Sequence, residues 1–198
     1  MSRRSARGYT IVELMMSISV LAIGVTGIIA MQKVTMVANS HARDLTIANQ
    51  IAGAWLDRLA ADGMYWTKPS KAGESSNRSE TKWLGTVSGA WFQPAYDDDA
   101  PFGPAFDGLG RPLPATAASQ AVYCTNLRLT WLFNETGTMA GNGLIRAEVR
   151  VFWVREGGPG LLNGAPVCAT TNSAAAVGAA VQNFHFVYAA GAVRQNRL

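Results

Sequence analysis

From Leu14 to Met31 the chain runs for eighteen residues without a charged side chain. As a helix this stretch would extend ~27 Å at about 1.5 Å per residue, close to the ~30 Å hydrocarbon core of a bilayer. Beyond Met31 the pattern changes but does not stop. Val34, Ala38, His41, Leu45, Ala48, Ala52, Trp55 and Leu59 follow at steps of four and three, the spacing of one helix face, while Arg43, Gln50 and Asp57 fall on another. No proline interrupts residues 14–61, so the pattern predicts one long helix, apolar all round and then amphipathic, with Gly63 after Asp62 as its stop.

A second periodicity starts at Ala121. Tyr123, Thr125, Leu127, Leu129, Trp131 and Phe133 alternate onto one strand face, and so do Ile145, Ala147, Val149, Val151 and Trp153, opposite Arg146, Glu148 and Arg150. The connection Asn134 to Asn142 between them makes an antiparallel hairpin, with one face predicted buried and the other wet. A third strand is predicted near Val181 to Tyr188, carrying Phe184, Phe186 and Tyr188 on one side. Gly157-Gly158-Pro159-Gly160 reads as a turn, and Gly164 to Thr171 as the segment that brings Cys168 between strands. The apolar sheet face needs a cover, and the helix stripe ending in Trp55 and Leu59 supplies one.

Between these regions, Met64 to Gln120 shows no sustained period and is rich in Gly, Pro, Ser and Asp. Trp66, Trp83, Trp91 and Phe92 are spread through it, and their simplest role is to anchor a long connection onto the domain. An exposed aromatic surface for a partner or a carbohydrate is the alternative. Asp97-Asp98-Asp99 and Asp107 form the one acidic cluster. Its spacing fits no EF-hand loop, so a solvated loop is expected ahead of calcium binding.

The amino-terminal residues carry the most specific signal. Arg3, Arg4 and Arg7 are the charged side chains of a short leader, followed by Gly8-Tyr9-Thr10-Ile11-Val12-Glu13-Leu14. Glu13 lies at the edge of the apolar run, where an acid requires a partner or a function. Cleavage after Gly8 would create an amine at Tyr9, one helical turn away, able to meet a carboxylate on a neighbouring copy. The basic leader, the glycine, the glutamate at this spacing and the uncharged run together resemble the class III signal of type IV pilins and pseudopilins. That resemblance implies cleavage between Gly8 and Tyr9, N-methylation of Tyr9, and a role in assembly for Glu13. Tyr9 departs from the usual phenylalanine. An ordinary secretory signal cut near Ala22-Ile23-Gly24 fits less well, because Glu13 heads its apolar region and the run continues past the site.

Length and charge add little beyond this. The chain has 198 residues and a net charge of +4; without the three leader arginines, 14 Lys/Arg face 13 Asp/Glu. The basic balance is therefore weak support for nucleic-acid binding, and the leader arginines are better explained by a cytoplasmic amino terminus. Two cysteines, Cys124 and Cys168, lie in the part expected to face an oxidising compartment, so a disulfide between them is expected ahead of two unrelated buried thiols.

Catalytic patterns are missing from the sequence. His41 falls on the helix stripe and His185 between strand aromatics, with no nucleophile in a recognisable context. The cysteines lack C-x-x-C spacing, and Gly141-Asn142-Gly143 and Gly157 to Gly160 do not open a helix as a phosphate loop requires. Neither an enzyme nor a cofactor is expected.

The resemblance to type IV pilins implies an α+β fold, a long amino-terminal helix with a transmembrane half and an amphipathic half packed on an antiparallel β-sheet. It divides the chain into a leader (1–8), a membrane helix (9–33) and a globular region (34–198), the last made of helix 34–62, connection 63–120 and sheet region 121–198. Leu21-Ala22-Ile23-Gly24 and the run from Ala42-Arg43 to Arg58-Leu59 look like the PilV-type minor pilins. Such subunits are held in the inner membrane with the amino terminus inside, then enter a pilus near its tip. The implied partners are a prepilin peptidase, an inner-membrane assembly platform, other minor pilins and the major pilin, and a tip adhesin, in the service of adhesion or twitching motility. Ala22, Thr26 and Ala30, with Gly24 and Gly27 beside them, form a row of small residues suited to close helix approach, and Ala30 stands where major pilins often carry a proline. A minor pseudopilin of a type II secretion system is the alternative. A DNA-uptake pilin is third, and would need a basic strip such as Arg128, Arg146, Arg150, Arg155, Arg194 and Arg197.

Overall fold

A computed structural model describes residues 9–66, 77–97, 102–134, 143–155, 161–162, 165–166, 168 and 174–196. The leader, Asp98, Asp99, Arg197, the Gly157 to Gly160 turn and most of the segments around Cys168 and between Asn134 and Asn142 lie outside them. The chain divides into two compact units, Met1–Asp44 and Leu45–Leu198. One helix, α1 (Ile11–Gly63), has residues in both.

In the first unit α1 is exposed up to Arg43, including Val34 and the other early positions of the predicted stripe, Ala38 and His41. In the second unit its burial begins: Ile47, Ala48, Ile51, Ala52, Trp55 and Leu59 have at most 9% of their surface exposed. The predicted stripe is thus correct from Leu45 onward, where the helix meets a sheet of its own unit, and is not buried before it. Each large side chain fully buried here contributes about 1.5–3 kcal/mol. The helix ends as predicted at Gly63, where Met64, Tyr65 and Trp66 each donate a backbone N–H to the carbonyl three residues earlier. Glycine is required there because a Cβ would overlap the side chain of Val193.

The sheet has five antiparallel strands: β1 (Trp91–Phe92), β2 (Ala105–Phe106), β3 (Tyr123–Phe133), β4 (Leu144–Val154) and β7 (Phe184–Arg194). β3 and β4 form the predicted hairpin, β7 flanks β4, and β1 and β2 both pair with β3. A separate two-stranded ladder joins β5 (Leu161–Leu162) to β6 (Ala165–Pro166). The third predicted strand is real but later and longer than expected, since Val181–Asn183 is a 3₁₀ turn. The irregular connection is also less irregular than it reads, because it supplies β1 and β2.

The inner face of the sheet is the alternating one. Tyr123, Leu127, Leu129, Ile145, Ala147, Val149, Val151 and Trp153 pack with the α1 stripe. The connection is anchored as predicted by Trp66 and Trp83, which join this core, and Phe92 packs against it. Trp55 lies at its centre, with ring centroids 5.4 Å from Trp83 and 4.7 Å from Phe102. A long amino-terminal helix packed on an antiparallel sheet, an α+β type IV pilin-like fold, is what the residues build.

The outer face is not simply wet, as alternation alone predicts. Ala105, Cys124, Phe152, Cys168, Val177 and Phe184 form a second core there, to which α2 (Ala174–Ala179) contributes. Cys124 and Cys168 are joined in a disulfide, with Cα atoms 5.6 Å apart. Arg150, expected in solvent, is only 4% exposed. Its Nη2 donates to Asn126 Oδ1 at 2.7 Å and to the Ala174 carbonyl at 3.0 Å, so one strand residue holds the start of α2 on the sheet.

Candidate functional site

The amino-terminal motif becomes a helix start with defined hydrogen bonds. Thr10 precedes the first helical residue, and its Oγ1 accepts the backbone N–H of Glu13 at 3.3 Å. Thr10-Ile11-Val12-Glu13 has the T-x-x-E spacing of a capping box, in which a threonine side chain satisfies one of the orphan N–H groups of the first turn. The sequence carried this signal, and it is separate from the spacing that marks a cleavage site. Such a cap stabilises a helix by about 0.5–2 kcal/mol. It makes the helix begin within two residues of the Gly8–Tyr9 bond.

Glu13 sits in the first turn of α1, where the helix dipole favours a negative charge. Its side chain is exposed, and among the described residues no cation pairs with it. Tyr9 is 87% exposed. Gly8 lies outside the described residues, so of the cleavage and methylation residues only Tyr9 has a described position. Among the described residues, then, the carboxylate stands uncovered at the start of the helix.

The apolar run behind it is self-sufficient in hydrogen bonding. Ser17 Oγ donates to the Glu13 carbonyl and Ser19 Oγ to that of Met15, both at 2.8 Å, and Thr26 Oγ1 donates to the Ile23 carbonyl at 2.9 Å. Hydroxyls turned onto their own helix backbone are tolerated in hydrocarbon, where an unpaired polar group is costly. An 18-residue window of α1 has a mean hydropathy of 2.2, none of it buried in the protein, long and apolar enough to cross a membrane. Gly24 and Gly27 have open space where a Cβ would stand, so the row of small residues is uncovered.

The remaining candidate residues fall apart as a site. His41 is exposed on α1, and His185 packs against Trp153 with centroids 5.3 Å apart. Asp97 pairs with Lys82, and Asp107 Oδ1 accepts the backbone N–H groups of Leu109 and Arg111 at 2.8 Å, the bonding of a turn. Among the described residues no group of three or more His, Cys, Asp or Glu could hold a metal ion. The described arginines of the expected basic strip do not all lie on an exposed surface either. Arg150 is buried, and burial pushes its guanidinium below its ordinary pKa. Arg128 and Arg146 both reach Glu148, at 2.6 and 3.0 Å, and the hydrogen bond from Arg128 holds that carboxyl below its usual range.

Asp62 is a residue whose part could not be read from the sequence. It is 7% exposed at the end of α1 and accepts the backbone N–H groups of Lys82 and Trp83 at 2.9 Å and of Leu84 at 3.4 Å. It fastens the connection to the helix.

Comparison with known proteins bears on the amino-terminal segment. The family described as the prokaryotic N-terminal methylation motif matches residues 3–29, which span the basic leader, the glycine, Glu13 and most of the apolar run. No curated protein and no solved structure matches the chain. The matched motif, joined to an uncovered apolar helix consistent with a membrane anchor, supports a type IV pilin-like or pseudopilin-like protein.

Proposed function

We propose that this chain is a minor pilin: a subunit cut after Gly8 by a prepilin peptidase, methylated on Tyr9, and assembled through α1 into a type IV pilus at or near its tip. The observation that carries this reading is the coincidence at one helix start of a methylation motif over residues 3–29, a capped first turn and a Glu13 that no cation among the described residues pairs with, ahead of an apolar run. An acid at a membrane edge is costly alone and is offset once a neighbouring amine meets it. The unbroken α1, without a proline between Leu14 and Ala61, supports a minor rather than a major subunit. In this role the chain starts assembly with other minor pilins, on an inner-membrane platform, and supports adhesion or motility.

The test is the mass of the protein from the native envelope, together with the phenotype of a deletion. A mature chain beginning at a methylated Tyr9, and loss of surface pili on deletion, support the proposal. Replacement of Gly8 by a bulky residue should leave the uncut precursor in the membrane. A wild-type product that retains residues 1–8 overturns the reading. Intact pili with lost secretion on deletion would transfer the chain to a type II secretion system.

A further inference from the structure

The two rims of the sheet are finished differently. The outer side of β3 is met by β1 and β2, two residues each. β7 is the other rim, eleven residues long, paired with β4 from Phe184 to Arg194 without a register shift. Among the described residues no strand pairs with its other side.

Long rims are usually guarded by charges, proline or a bulge, because an open strand is a template for another chain. β7 has none of these before its last residue: from Phe184 to Val193 it contains no Lys, Arg, Asp, Glu or Pro. Its apolar residues are also incompletely covered. Val149 and Val151 of β4 are fully buried, whereas their cross-strand partners Ala189 and Val187 are half-buried. On the opposite face Tyr188 is 61% exposed, and Ala190 and Ala192 are exposed. One more strand would complete the burial on both faces.

Charge selects the occupant. At one end of β7 stands the exposed Arg194; at the other, Arg155 donates its Nε–H to the Phe184 carbonyl at 2.9 Å. A second copy paired antiparallel in full register would set Arg194 opposite Phe184, against Arg155, at both ends. Paired parallel, it would set Arg194 beside Arg194. Either arrangement gathers like charges, which disfavours a partner. We propose that β7 is a docking edge for an extended segment of a different protein, an apolar strand of about nine to eleven residues flanked by carboxylates that meet Arg194 and Arg155. Main-chain hydrogen bonds supply the affinity and the arginines set the register. The inference concerns the Leu45–Leu198 unit alone and does not depend on which filament the chain enters.

The test places a photo-crosslinking phenylalanine analogue at Tyr188, Ala190 or Ala192, one at a time, in cells making the full chain. Formation of the Cys124–Cys168 disulfide checks that each variant folds. The expected result is crosslinks to one protein other than this chain, at sites that move by two residues for each two-residue step along β7. In an Arg194→Glu background the yield should fall roughly fivefold or more, the effect of about 1 kcal/mol at a charged rim. Crosslinks to copies of this chain, to nothing, or to sites that do not advance in register overturn the proposal. An unchanged yield with Arg194→Glu overturns the charged-flank requirement.

Discussion

Asp62 in the last turn of α1 accepts the backbone N–H of Trp83, twenty-one residues away, at 2.9 Å. A carboxylate at a helix C-terminus opposes the helix dipole, so its presence needs another cause. That cause is the turn at Lys82 to Leu84, whose N–H groups would otherwise be left without an acceptor inside the core. We predict that Asp62→Ala destabilises the folded protein by roughly 2–4 kcal/mol, since buried donors lose a charged acceptor. Urea unfolding of the detergent-solubilised chain, followed by tryptophan fluorescence, measures this. A loss below about 0.5 kcal/mol, the range of neutral surface substitutions, would show the bonds to be dispensable.

The contrast with the rest of α1 shows what a single sequence reveals. The apolar run to Met31 and the stripe from Leu45 to Leu59 were legible because one rule, the helical period, governs many residues at once. So was the alternation of β3 and β4. Arg150 was misread because alternation places it opposite Val149 and Val151, and nothing local indicates that a distant segment will cover that face. The cover follows from the Cys124–Cys168 link and from α2, long-range pairings that composition hints at but does not locate. At the amino terminus the motif was legible as a signal, while the Thr10 cap inside it was masked by the cleavage pattern it shares residues with.

The disulfide should matter most to that second core. Cys124 and Cys168 are each 2% exposed and lie 44 residues apart, a separation for which loop entropy gives ~4 kcal/mol. We predict that Cys124→Ser with Cys168→Ser lowers stability by about 2–4 kcal/mol, and that hydrogen exchange speeds up in α2 well before β3 and β4. Equal loss of protection in both regions would mean that the inner core also depends on the link.

Glu148 gives a pH dependence with a definite sign. Its carboxyl is held below the ordinary value of 4.5 by the hydrogen bond from Arg128, so the folded state binds the proton more weakly than the unfolded chain. Its contribution is therefore complete above 4.5 and fades as pH falls through the depressed folded value. Arg128 is 36% exposed, so solvent screening keeps the effect to about 1 kcal/mol or less. We expect the stability gap between the native protein and Glu148→Gln to be present at neutral pH and to close in strong acid. A gap that widened on acidification would contradict the assignment.

Arg150 offers a test of shape against charge. Its guanidinium bridges Asn126 and Ala174 and lies 4.7 Å from the centroid of Trp91. Both hydrogen bonds leave Nη2, and an ammonium on a flexible stem cannot hold them while reproducing the planar stacking on Trp91. We predict that Arg150→Lys, although it keeps the charge, costs about 1–3 kcal/mol and exposes α2 to faster hydrogen exchange. Native stability in this variant would mean that charge alone suffices.

Glu13 should matter to assembly and not to folding. The contact that caps the first turn is made by its backbone N–H, to Thr10 Oγ1, and no cation among the described residues pairs with its carboxylate. Replacing the side chain thus keeps that hydrogen bond, costs the helix start only the dipole interaction of about 0.3–1 kcal/mol, and removes the charge offered to a neighbour. If that neighbour is an amino terminus freed at Tyr9, Glu13→Ala should still be cut and should reach the membrane in native amounts. Its content in sheared filaments should fall about tenfold, the effect of losing some 1.4 kcal/mol at one contact. Glu13→Gln should behave like alanine, because a neutral amide of the same shape attracts a cation far less. Native incorporation of both variants, measured by mass spectrometry of the filament fraction, would mean that the carboxylate meets no partner that assembly needs.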